Sequence, residues 1–156
     1  QRKSFGYYRH LLELPPKLGS TTGLSELCGF IVEHMIKIFP DGNRASLFLC
    51  DPANRALVLE AHVPNLKPAV SPLLAQQAIA NGVGYIWRQC DKEESMQRLP
   101  VHGGMYAPVK MGLLEIGLIC VDTTKEKMDY QPEDLSLLIA MAQNAAPHIR
   151  LLLENQ

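Results

Sequence analysis

Apolar positions recur along this chain with two periods, and the changes between them mark the elements. Leu24, Leu27, Cys28, Ile31, Met35 and Ile38 fall at three- and four-residue steps, predicting a helix with one apolar stripe. Pro40-Asp41-Gly42-Asn43 stops it. Residues 45–50 and 56–63 then read as strands joined by the hairpin turn Asp51-Pro52-Ala53-Asn54, and both strands are apolar on two faces. Such strands suit a sheet covered on each side. Ahead of these, residues 4–14 can form a short helix ended by Pro15-Pro16.

In the middle, Ser71 as N-cap, Pro72 at the first helical position and Asn81-Gly82 as a stop predict a helix of about three turns. Gly84-Tyr85-Ile86-Trp87 follows as a strand, and residues 89–102 read as a mobile polar loop. An alternating strand over 105–109 turns at Lys110-Met111-Gly112 into a longer apolar strand over 113–121. Gln131-Pro132-Glu133-Asp134 opens a long helix reaching about Glu154, with Pro147 expected to bend it. The order of elements predicts an α+β domain with an antiparallel sheet and helices on its faces.

Composition narrows the function classes. The 156 residues suit one domain, and the first residue, Gln1, suggests a piece excised from a longer multidomain protein. A net charge of −1 gives no basic stripe for nucleic acid. No apolar run reaches the roughly 20 residues that cross a bilayer, and no signal peptide is evident. Cys28, Cys50, Cys90 and Cys120 include no C-x-x-C pair and read as reduced thiols of a cytoplasmic protein. His10, His34, His62, His102 and His148 lie on separate elements without ligand spacing, so no metal or other cofactor is expected.

The wording of residues 45–51 and 105–122, and of Gln131-Pro132-Glu133-Asp134-Leu135 running into Leu137-Leu138, resembles the GAF domains, a family of sensory modules. Gly112 and Gly117 fall where that family usually has them, and the likeness spans about residues 20–154. It implies a central antiparallel sheet of five or six strands. The helices at 23–39 and 133–154 would pack on one face, with the 72–80 helix and the 89–102 loop lidding the other. A small-molecule pocket would then lie under that loop, near Trp87, Gln89, Arg98, His102 and Tyr106.

The family's cyclic-nucleotide binders carry Asn-Lys…Phe…Asp-Glu, where this chain has Asp122-Thr123…Tyr130…Asp134-Leu135, so that only Asp134 agrees. No cysteine here precedes a histidine, as in the bilin-attaching members. Free methionine sulfoxide reductases of GAF type would require Cys90 to act without a matching partner thiol. The long C-terminal helix also carries a heptad-like seam of Leu135, Leu138, Ala142, Ala145, Ile149 and Leu152, expected to form a homodimer interface. Three functional readings follow: a non-enzymatic sensory module, an interaction module without ligand, and a thiol reductase.

Overall fold

The structure, a computed structural model, describes residues 23–39, 42, 44–64, 72–88, 102–125 and 129–155. Among these residues three helices flank one sheet: α1 (Leu24–Ile38), α2 (Pro72–Asn81) and α3 (Pro132–Glu154). The strands are β1 (Arg44–Cys50), β2 (Leu57–Val63), β3 (Tyr85–Arg88), β4 (Gly103–Met111) and β5 (Leu114–Thr123). They lie in the order β2-β1-β5-β4-β3, and every pairing is antiparallel. The expected helix at 4–14, the Ser71 cap and the loop at 89–101 lie outside the described residues.

Side-chain alternation divides the strands between two cores. Ala45, Leu47, Leu49, Met105, Ala107, Val109, Ile119 and Val121 face α1 and α3 in the larger one. Trp87, Tyr106, Leu118 and Cys120 face the other way, against Ala75 and Ala78 of α2. The two long helices thus share a face and α2 covers the opposite one, as the resemblance implies. Each fully buried Leu or Ile on the helical side contributes about 1.5–3 kcal/mol of transfer free energy.

Local chemistry fixes the ends. Gly82, at φ +66, closes α2 by donating its N–H to the Ala78 carbonyl at 3.1 Å. The Gln131 N–H donates to Asp134 Oδ2 at 2.7 Å, and Pro132 fills the first helical position of α3. The β4–β5 turn is Gly112-Leu113, one residue later than the sequence suggests, and Gly112 supplies its left-handed backbone at φ +59. Gly117 has a different reason to be glycine. A Cβ there would overlap the Phe48 carbonyl of β1, so the close approach of the two strands depends on hydrogen at that position.

Two expectations bear on α3. The helix runs through Pro147 without interruption. Both Pro147 and Gln143, whose carbonyl loses its i+4 donor, lie on the exposed side, where water can replace the missing bond. The proposed dimer seam is also occupied within the single chain. Leu138, Ala142, Ala145 and Ile149 are at most 1% exposed and sit in the core with α1 and the sheet, while Leu152 packs half-buried against them. A heptad seam and the stripe of a core-facing helix nearly coincide over five or six turns, so spacing alone cannot separate them.

Candidate ligand site

The layer between α2 and the sheet has two ends of different character. Strand register sets them apart. Cys50, Leu57 and Glu115 lie at the end with the two hairpin turns, while Arg44, Asp122, Gly103 and Arg88 lie at the other.

At the hairpin end a cleft of about 460 Å³ opens between α2 and strands β1, β2 and β5. Phe48, Leu57, Ala75 and Ile79 give it apolar walls, and Arg55 and Glu115 stand among its polar lining. The size and the mixture suit a small-molecule site. A rigid turn sets up this rim. Asp51 Oδ1 accepts from the Ala53 N–H at 2.8 Å and Asn54 Oδ1 from the Ala56 N–H at 2.9 Å. Arg55 takes a left-handed backbone at φ 61, uncommon for a bulky side chain. Its Nη2 donates to Glu115 Oε2 from across the layer.

The opposite end is closed and polar. Asp122 is 3% exposed, and Arg44 Nε lies 3.3 Å from its Oδ1. That ion pair lacks hydrogen-bond geometry, so the oxygen has no hydrogen-bond donor among the described residues. Burial raises the Asp122 carboxyl to about 7, against a smaller lowering by Arg44. Trp87 Nε1 also has no hydrogen-bond partner among the described residues. Its indole lies over Gly104, where a Cβ would come within 2.6 Å of that nitrogen.

No protein-family model matches this sequence, and no curated protein matches it. Solved structures do. The GAF domain of a phosphoenolpyruvate-protein phosphotransferase from Coxiella burnetii superposes with a TM-score of 0.80, at 14% identity, over 97% of each chain. A phycocyanobilin-bound GAF domain from a cyanobacterial phytochrome gives 0.76 at 10% identity, over 96% of this chain and 97% of that one. This chain has the GAF fold. A free methionine-R-sulfoxide reductase from Neisseria meningitidis, solved with its substrate, gives 0.79 at 15% identity, over 96% and 92%.

Within this GAF fold, two of the residues expected to touch a ligand are core residues. Trp87 and Tyr106 are each 1% exposed, with ring centroids 6.4 Å apart in an edge-on arrangement. They form the inner wall of the α2-side core and are absent from the cleft lining. His102 is half-buried just before β4, at the closed end. Gln89 and Arg98 lie outside the described residues. The cleft residues Phe48, Leu57, Arg55, Ile79 and Glu115 were not singled out by sequence reasoning. Their one legible signal is the two-sided apolar character of β1, which puts Phe48 on the side away from α1.

The described cysteines, Cys28, Cys50 and Cys120, are poor nucleophiles. Burial raises Cys28 to about 12, and it also raises Cys50 and, well above the ordinary value, Cys120. A nucleophilic thiol needs the opposite shift. Cys90 lies outside the described residues. Among the described residues no group of three or more His, Cys, Asp or Glu side chains comes together as a metal site. No described helix is long and apolar enough to cross a membrane.

Proposed function

We propose that this GAF domain is a sensory or regulatory module that binds a small molecule between α2 and the sheet. The cleft of about 460 Å³ carries the reading, since it combines apolar walls with charged groups at one rim. Neighbouring residues of β1 and β5 connect the two layers. Phe48 and Leu118 face the α2 side, while Leu47, Leu49 and Ile119 pack with α1 and α3. A ligand that binds one arrangement of these strands more tightly shifts the balance of helix positions by its differential affinity.

A melting-temperature screen with cyclic nucleotides, amino acids and 2-oxo acids tests this. The reading expects at least one class to raise Tm in the wild-type chain and to lose that effect in Ile79→Trp, which fills the cleft. Stabilisation of both proteins alike places binding elsewhere, and no stabilisation by any class removes the sensory reading's support.

A further inference from the structure

Resting on the cleft as a ligand site, we infer that it takes a small amphipathic anion, its apolar body among Phe48, Leu57, Ala75 and Ile79 and its carboxylate on Arg55. The walls set the first half of this description. The charges at the rim set the second.

Arg55 offers more donors than the protein uses. A guanidinium carries five N–H groups in a planar fork, and only Nη2 has a partner among the described residues, Glu115. The Arg55 side chain is 73% exposed and that of Glu115 24%, so the cation is the more accessible member of the pair. Lys110 adds a second positive charge nearby. It is the cross-strand partner of Glu115, and its Nζ lies beside Gly82, where a Cβ would stand 2.8 Å from it. Asp51, the carboxylate of the same turn as Arg55, accepts a hydrogen bond from Ala53 within that turn. With Asp51 counted, the charges of Arg55, Lys110, Glu115 and Asp51 balance, so it is the accessible guanidinium, against a more covered Glu115, that favours an anionic headgroup over a cationic one.

The left-handed backbone at Arg55 aims this side chain. Such a conformation is costly in a non-glycine residue and persists where its surroundings over-determine it. Here the capped turn from Asp51 to Ala56 does so, holding the guanidinium at the rim. A carboxylate arriving over the cleft engages the free edge of the fork and competes with Glu115 for Nη2.

Isothermal titration of the chain with 4-phenylbutyrate, 4-phenylbutanamide and 4-phenylbutylamine tests the inference. These probes share an apolar body and differ in head charge. The carboxylate is expected to bind at least tenfold more tightly than the amide and more tightly still than the amine. Arg55→Asn, which tolerates the left-handed backbone, should abolish that preference, and Ile79→Trp should abolish binding. The milder Ala80→Phe, at an exposed lining position, replaces Ile79→Trp if the latter fails to fold. Equal binding of acid and amide, or preference for the amine, overturns the anionic class while leaving the cleft a small-molecule site. No binding by any of the three to folded wild-type protein overturns the inference, and the broader reading then depends on the melting-temperature screen alone.

Discussion

Arg55 and Glu115, sixty positions apart in sequence, meet through a side-chain ion pair at the rim of the cleft under α2. The contact joins the β1–β2 turn to the start of β5. Its Arg partner is largely exposed, and exposed pairs of this kind contribute about 0–1 kcal/mol. Glu115→Gln should therefore shift the urea-unfolding free energy by less than about 1 kcal/mol. The same change should strengthen 4-phenylbutyrate binding several-fold, because it releases Nη2. A large stability loss without tighter binding would make the pair a structural clamp instead.

Gly117→Ala should be among the most damaging single changes in the sheet. The added methyl would strike the Phe48 carbonyl, and backbone cannot swing aside as a flexible side chain can. β1 and β5 would have to separate along a register running from Arg44↔Asp122 to Leu49↔Gly117. A loss of at least about 2 kcal/mol is expected in equilibrium unfolding, within the range of severe steric substitutions. Gly112→Ala strains only a turn whose Cβ would meet open space, so its cost should be smaller.

Ile149→Ala should behave as a core mutation. The side chain is fully buried within the single chain, and truncations of this kind cost about 2–5 kcal/mol. Unfolding and sedimentation equilibrium measured together provide the check. Stability should drop at a constant association state. A change in association with unchanged stability would make the seam an interface between copies.

Asp122 gives the fold a pH dependence of known sign. Its carboxyl lies near 7 in the folded chain and near the ordinary 3.8 when unfolded. Between those values the folded state holds the proton more tightly. The contribution is therefore greatest below about pH 4, declines as pH rises through 7, and is flat above that. The slope from this group approaches on the order of 1 kcal/mol per pH unit. Arg44, which faces it across the β1–β5 pair, opposes the shift without cancelling it. Unfolding free energies from pH 5 to 8 should show this decline in the wild type and a shallower one in Asp122→Asn.

The architecture was legible because its elements announce themselves locally. The stripe from Leu24 to Ile38 leaves one helical face apolar, and Gln131-Pro132-Glu133-Asp134 starts α3 by chemistry that needs no tertiary partner. β1 is apolar on both faces because it lies between two cores. The site was less legible. Trp87 and Tyr106 are large, near a loop and flanked by polar residues, but the same features describe aromatics that fill a core. The cleft depends on how α2 sits over Phe48 and Leu57, and on a contact between Arg55 and Glu115. Neither local propensity nor residue spacing specifies such a long-range arrangement. The α3 seam is ambiguous for a related reason: its spacing describes a buried face without saying which surface buries it.

Backbone amide chemical-shift mapping during titration with 4-phenylbutyrate tests the central claim most directly. The account predicts saturable shifts concentrated at Phe48, Arg55, Leu57, Ala75, Ile79 and Glu115, with smaller propagated changes in α1 and α3. Primary shifts confined to the outer face of α3, or centred on Arg44 and Asp122 with the cleft residues silent, would contradict it.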